Sequence, residues 1–348
     1  MILSYNHHFI FLIILFFVII VIYLRGYTYM FRISTLLKFD EIVIQCHDNP
    51  DADTIASGYG LYCYFKSHNK SVKLIYSGNI ITKPNIILMI DLLKIPLEHV
   101  NTLEKPKLLI TVDCQYGQSN VTKFSGENIC IFDHHITNNT TSDFNCIHSN
   151  LASCSTLIWM LLDKENFLIN NNLSLSTALY YGLLTDSNNF SELYNENDKT
   201  MKDSLTFDIY IIKQLINSNL SLNDLTTAGL ALLNCKMNKK NRFASFKSDP
   251  CDPNILGFIS DLAIQVDTID ACIVYYENKD GIKFSIRSCN NKLKATELAE
   301  FISKNYGSSG GHNHKAGGFI SAESFYKIHK SIDISNYMIN KTEEFFSS

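Results

Sequence analysis

From Glu41 onward the chain alternates short runs of β-branched and aromatic residues with longer stretches whose apolar positions recur at helical spacing. That alternation constrains the fold more than any other property, because strands joined by helical crossovers pair in parallel and need cover on both faces. Ile42-Val43-Ile44-Gln45-Cys46 reads as a buried strand, followed by a polar loop and a helix through about Ser67. Val72 to Tyr76, Leu108 to Val112 and Ile129 to Phe132 read as further strands, and Ser155 to Lys164 and Leu175 to Thr185 as helices. The expectation is an α/β fold with a doubly wound parallel sheet over residues 33–205. The stretch 198–235 reads as mostly helical, and residues 206–240 are expected to form a helical connector to a smaller α/β domain with a mixed sheet, residues 241–348. In that domain Arg242 to Phe246, Ala271 to Tyr276 and Ile282 to Arg287 are strand-like, Ala295 to Lys304 is helical, and 307–318 reads as a Gly-rich loop.

Ahead of this body, the first 24 residues contain no Asp, Glu, Lys or Arg, and 20 of them are apolar. Phe9 to Leu24 is an unbroken apolar run of 16 residues, slightly below the ~17–25 that usually span a bilayer. Only His7 and His8 precede it, whereas Arg25, Arg32 and Lys38 follow. The pattern predicts an uncleaved transmembrane helix, with residues 1–32 as membrane anchor and leader and the body in the cytoplasm. A translation start at Met30 would make the protein cytoplasmic instead. Without this segment the chain is about 20% charged, an ordinary globular share. The net charge of -4 and the lack of a long basic run argue against binding long duplex nucleic acid through bulk charge. The ten cysteines include no CxxC pair, so they read as small core residues of a reducing compartment rather than zinc or redox ligands.

Several of the predicted strands and helices end in residues that carry chemistry. His47-Asp48-Asn49-Pro50-Asp51-Ala52-Asp53 follows the first strand, Asp113 follows another, Asp133-His134-His135 a third, and Asp186 closes a helix. In an open parallel sheet the C-terminal strand ends line one crevice, so residues distant in sequence can converge there. Pro50 keeps Asn49 out of the helical region, which leaves Asp51 and Asp53 on an extended loop before the helix begins. Four aspartates and two histidines offer hard oxygen and imidazole donors, a set suited to Mn²⁺, with Mg²⁺, Co²⁺ or Fe²⁺ as substitutes. Six ligands exceed the needs of one ion, so two divalent ions about 3.5–4 Å apart, sharing Asp113 and acting on phosphorus, are expected. A lone Asp after a strand is more often a helix N-cap or turn residue; the combination of motifs at strand ends is what favours a metal site.

At these positions the sequence resembles the DHH family of phosphoesterases. His47 to Asp53 matches the first motif, Asp113 the isolated second aspartate, Asp133-His134-His135 the triplet that names the family, and Gly182-Leu183-Leu184-Thr185-Asp186 the fourth motif. Toward the C-terminus, Ser309-Gly310-Gly311-His312-Asn313-His314-Lys315-Ala316-Gly317-Gly318 resembles the glycine-rich segment of the associated DHHA1 substrate domain. The resemblance implies that His47, Asp51, Asp113 and Asp186 serve one metal and Asp53, Asp113, His134 and Asp186 the other. It places His135 and Asp113 in catalysis and gives Asp133 an orienting role. It also assigns substrate contacts to Arg287, Gly310, Gly311, His312 and Gly317. Ser309 and Lys315 depart from the family pattern, where another glycine and an alanine are usual.

The function implied is a manganese-dependent phosphodiesterase or phosphatase acting on small nucleotides: short single-stranded oligoribonucleotides, linear or cyclic dinucleotides, or 3′-phosphoadenosine 5′-phosphate. A family II-like inorganic pyrophosphatase is the enzymatic alternative; Gly310-Gly311-His312 argues against it. A catalytically silent, membrane-tethered nucleotide-binding module is the other, and the six filled ligand positions argue against that. The chain is expected to meet the membrane through its one N-terminal helix, and a homodimer is left open.

Overall fold

The computed structural model describes residues 31–136, 142–290, 293–329 and 333–347. Residues 1–30 of the expected anchor and leader, with the apolar run 9–24 and Met30, lie outside them. Among the described residues no helix is long and apolar enough to cross a membrane. The chain separates into two compact units between Asn219 and Leu220.

The first unit is built on six parallel strands: β1 (Glu41–Gln45), β2 (Ser71–Tyr76), β3 (Leu97–His99), β4 (Leu108–Val112), β5 (Ile129–Asp133) and β6 (Phe144–Ile147). Their order in the sheet is β3-β2-β1-β4-β5-β6, and every pair is parallel. The order reverses between β1 and β4, and at such a switch point the adjoining crossovers leave to opposite faces and open a crevice at the C-terminal strand ends. All five residues of β4 are buried, as a central strand covered on both faces requires.

Helices α1 (Ala52–Ser67), α2 (Pro84–Leu93), α3 (Cys154–Lys164), α4 (Leu173–Asp186), α5 (Glu196–Ser204) and α6 (Ile209–Asn217) complete this unit. Its main core joins Ile42, Ile44 and Ile110 of the sheet to Ile55 and Leu61 of α1, Leu157 and Leu161 of α3, and Leu179 of α4. Gly182 lets α4 approach α1 closely, because a Cβ there would lie 3.1 Å from Ala56 Cβ and 2.3 Å from Ser155 Oγ.

The second unit opens with α7 (Leu222–Leu233) and carries a mixed sheet of β7 (Lys236–Asn238), β8 (Phe243–Lys247), β9 (Ala271–Glu277), β10 (Gly281–Ser288), β11 (Gly307–Gly311) and β12 (Lys315–Ser321). The order is β11-β12-β10-β9-β8-β7; only β8 and β9 run parallel. One face packs on α7 and α8 (Pro253–Ala263), the other on α9 (Ala295–Ser303), α10 (Ala322–Ile328) and α11 (Ile334–Ser347). The stretch expected as a helical connector is divided: Ile212 and Leu215 of α6 belong to the core of the first unit, whereas Ala228 and Ala231 of α7 belong to the second.

One expectation is corrected here. The segment 307–318 is mostly not a loop: β11 and β12 form an antiparallel ribbon in which Gly310 pairs with Gly317 and Gly311 with Ala316, and only 312–314 turn. Glycine meets a packing demand in that ribbon, since a Cβ at Gly318 would sit 2.4 Å from the Phe284 ring and 2.7 Å from the Ser308 carbonyl oxygen.

Candidate metal centre

The ends of β1, β4, β5 and α4 bring the predicted ligands of the first unit together. Asp51 caps α1: its Oδ1 accepts the Asp53 and Thr54 N–H groups, each at 3.1 Å, which leaves Oδ2 3.6 Å from His47 Nε2. The aspartate is thus both the N-cap its position suggests and a member of the cluster. Asp113 follows β4 with φ 58, in the left-handed region that few residues other than glycine adopt. Its N–H still donates to Phe132 O at 2.9 Å, so the ladder holds the backbone while the carboxylate turns into the crevice.

Asp113 stands between two groups. Its Oδ2 is 3.7 Å from His47 Nε2 and its Oδ1 is 3.3 Å from His134 Nε2. Three triads of donor atoms lie within 4.8 Å of one another: His47, Asp51 and Asp113; Asp53, His134 and Asp186; and Asp113, His134 and His135. All six predicted metal ligands therefore converge, with Asp113 shared.

The surroundings prepare these donors for a cation. His134 Nδ1 lies 3.1 Å from the Leu151 carbonyl, which fixes the proton on Nδ1 and turns the lone pair of Nε2 inward. That Nε2 and Asp113 Oδ1 are both buried and have no hydrogen-bond partner of adequate geometry, although they are close. Buried polar atoms left without a partner in this way are costly unless something outside the protein completes them, and a hard divalent ion fits the donor set. Asp53 is fully buried and accepts the Cys154 and Ser155 N–H groups, at 2.7 and 2.8 Å, at the positive end of α3.

Titration behaviour reflects the crowding. Burial, then Asp113 and Asp186, holds the Asp53 carboxyl well above its usual range. Asp186 is also raised, burial being the main cause. Burial would lower His47, yet Asp51 and Asp113 together push it up to about 10. His134 is likewise raised by Asp113 and Asp186 against its own burial. Carboxylates that share protons with neighbouring imidazoles in this way form a site in which a cation can replace those protons.

His135 is more open, with its side chain 56% exposed. Its Nδ1 lies 2.8 Å from Asp133 Oδ1, which also accepts the His134 N–H at 2.9 Å. The pair leaves His135 Nε2 directed away from Asp133. Burial would raise the Asp133 carboxyl, but the bonds from His135 and then Gln115 bring it below its usual range.

Two supporting groups escaped the sequence reading. Gln115 is buried and donates from Nε2 to Asp133 Oδ2 at 2.8 Å. Asp198, also buried, accepts the Ala152 N–H and steadies the turn before α3. Buried polar character at both positions is their only mark, and it is invisible without the fold.

In the second unit the predicted substrate contacts gather on three neighbouring strands. Arg287 of β10 pairs with Lys315 of β12, and Gly317 stands between Ser285 and Gly310. His312 is exposed on the turn, and a Cβ at Gly310 would meet nothing within 4 Å. The Arg287 guanidinium is held by Asp261, Nε to Oδ1 2.6 Å, and by Ser285 Oγ at 3.0 Å.

A parallel sheet with aspartate and histidine donors converging at its switch point, in a chain with a separate mixed-sheet unit, defines an α/β metal-centred hydrolase. Residues 41–185 match the model of the DHH family, N-terminal domain. The chain is 26% identical over 318 residues to the bifunctional oligoribonuclease and PAP phosphatase NrnA of Mycoplasma genitalium, an alignment covering 83% of this chain and 91% of the relative. It is 24% identical over 278 residues to an uncharacterized protein of Methanocaldococcus jannaschii; this alignment covers 79% of the chain but 57% of that longer relative. Among solved structures, an exopolyphosphatase-related protein from Bacteroides fragilis shares the fold, with a TM-score of 0.63 at 17% identity over 88% of this chain and 94% of that one.

Proposed function

We propose that this chain is a divalent-cation-dependent phosphoesterase that hydrolyses phosphodiester or terminal phosphate bonds of small nucleotides. Its substrates would be short oligoribonucleotides, linear or cyclic dinucleotides, or 3′-phosphoadenosine 5′-phosphate. The observation that carries the reading is the position of Asp113, with one carboxylate oxygen toward His47 and the other toward His134. Two cations bound there, manganese being best matched to the mixed oxygen and imidazole donors, would activate water and offset charge on the phosphate. His47, Asp51 and Asp113 would hold one, and Asp53, His134 and Asp186 the other, with Asp113 shared.

The chain's own groups supply the rest. Asp133 accepts the His135 Nδ1–H and raises that imidazole above its usual range, so the imidazolium can donate from Nε2 to a phosphate or leaving-group oxygen. The likeness to a relative named as an oligoribonuclease and PAP phosphatase supports the choice of substrates. Arg287, Gly310, Gly311, His312 and Gly317 are proposed to contact the nucleotide, and the apolar N-terminal run to tether the protein to a membrane with its body in the cytoplasm.

The test is a substrate panel. The purified chain with Mn²⁺, Mg²⁺ or Co²⁺ is given a 5′-phosphorylated dinucleotide, cyclic di-AMP, 3′-phosphoadenosine 5′-phosphate and pyrophosphate. Turnover of a nucleotide, abolished by chelation, is expected. Turnover of pyrophosphate alone, or of nothing while the metal is bound, would overturn the proposal.

A further inference from the structure

Beside the ligand cluster the first unit contains a cavity of about 260 Å³, bordered by Asp133 and His135 and by the loop that follows β4. From that loop Gln115, Gln118, Ser119 and Asn120 contribute to the lining. None of these four is a predicted ligand or motif residue, and Gln115 alone has a role in the cluster described above.

Size is the first constraint. At about 260 Å³ the cavity falls below the ~300–1,000 Å³ of pockets that enclose a whole drug-sized ligand, so it has room for one ring system and not for a dinucleotide. Charge is the second. No lysine or arginine lines it, and Asp133, the one charged group of its wall besides the histidine, has Oδ1 bonded to His135 and Oδ2 to Gln115. A second phosphate placed here would find no counter-charge but His135, which the scissile phosphate would already engage.

Hydrogen-bonding capacity is the third. The side-chain amides of Gln118 and Asn120 and the hydroxyl of Ser119 offer donors and acceptors in equal measure. All three residues are exposed, and their side chains make no hydrogen bond among the described residues. The backbone beneath them is nevertheless pinned: Gln118 N–H donates to Gln115 O at 3.1 Å, and Asn120 O accepts the Asp48 N–H at 2.9 Å. Asp48 in turn accepts the Thr122 N–H and hydroxyl, at 2.9 and 2.8 Å. Fixed backbone with uncommitted polar side chains is the arrangement of a preorganised recognition loop.

We infer that this cavity receives the uncharged polar part of a nucleotide, its base edge or ribose, next to the scissile phosphate, and so selects nucleotides over inorganic polyphosphates. The inference rests on the phosphoesterase reading and names the chemistry that reading recognises. Neutral amides read a nucleoside by hydrogen bonds and gain little from a phosphate, while His135 beside them puts the reacting bond within reach.

The double variant Gln118→Ala/Asn120→Ala, in the full chain with Mn²⁺, tests it against a 5′-phosphorylated dinucleotide and bis(p-nitrophenyl) phosphate, a diester with no nucleoside. Losing two hydrogen bonds should lower the ratio of kcat/KM for the dinucleotide over the simple diester by about tenfold, mainly through KM. If the pair lowers the melting temperature, the near-isosteric Asn120→Asp should still lower the ratio. A ratio unchanged in the variants, or a wild type that prefers the simple diester or pyrophosphate, overturns the inference while the phosphoesterase reading stands. A wild type inactive on every substrate overturns both.

Discussion

Replacing Asp113 by asparagine separates its part in cation binding from its part in folding. Asparagine tolerates the φ of 58 that position 113 adopts, so the substitution removes charge without straining the turn. Asp113 repels Asp53 but favours the charged forms of His47 and His134, and these opposed effects should leave the metal-free variant close to wild-type stability. With a cation present the outcome reverses. One unit charge at about 4 Å, at an effective dielectric of ~20, is worth about 4 kcal/mol, or about a thousandfold in affinity.

If Mn²⁺ is supplied at about 1,000 times the wild-type Kd, binding stabilises the wild type by about 4.1 kcal/mol. The same Mn²⁺ concentration stabilises the variant by only about 0.4 kcal/mol. For a unit of this size about 2–4 °C accompanies each kcal/mol, so Mn²⁺ should raise the wild-type melting temperature by ~8–16 °C and that of the variant by under ~2 °C. Thermal melts in chelator and in Mn²⁺, read by circular dichroism, measure both arms. An equal Mn²⁺-induced rise in the two proteins would show that Asp113 is not a shared ligand.

Two further outcomes follow from the same site. His47 is raised from 6.5 to about 10 in the metal-free protein, so its stabilising contribution is complete below pH 6.5 and is lost as pH climbs through 10. Metal-free melts should fall across that window and Mn²⁺ affinity should rise, because a ligating imidazole must be neutral; melts and affinities independent of pH would contradict the assignment. Gly182→Ala places a Cβ 2.3 Å from Ser155 Oγ and 3.1 Å from Asp53 Oδ1, which should cost ~1–3 kcal/mol by overpacking and weaken Mn²⁺ binding as Asp53 shifts. Calorimetric titration with Mn²⁺ checks the second effect, and wild-type affinity would refute it.

Sequence pattern reached the site better than it reached the scaffold around it. His47, Asp113 and the 133–135 triplet each follow a β-branched run, and once those runs are parallel strands their C-terminal ends share one side of the sheet. Gln115 left no such trace, because its bond to Asp133 depends on β4 lying beside β5. The Leu151 carbonyl that orients His134 is a backbone atom, to which side-chain identity gives no clue. In the second unit, glycines at 307, 310, 311, 317 and 318 suggested a loop since glycine disfavours strands. At Gly318 the demand for glycine comes from Phe284 on the adjoining strand, a tertiary neighbour. Helix α2, Pro84–Leu93, carries no periodic signature, because Ile86 to Ile90 is a continuous apolar run without the spacing that marks a helix.

The donors of the cluster come from the ends of β1, β4 and β5, the N-cap and first turn of α1 and the last residue of α4, so no short fragment of the first unit contains them all. A cation bound there would tie the parallel sheet to its crossing helix, and would be lost whenever they part. Opening of that sheet then becomes one cooperative event rather than a series of local ones, and amide exchange along β1, β4 and β5 should slow together when the metal binds. Metal supply would in this way govern how long the folded chain resists proteolysis as well as how fast it turns over substrate.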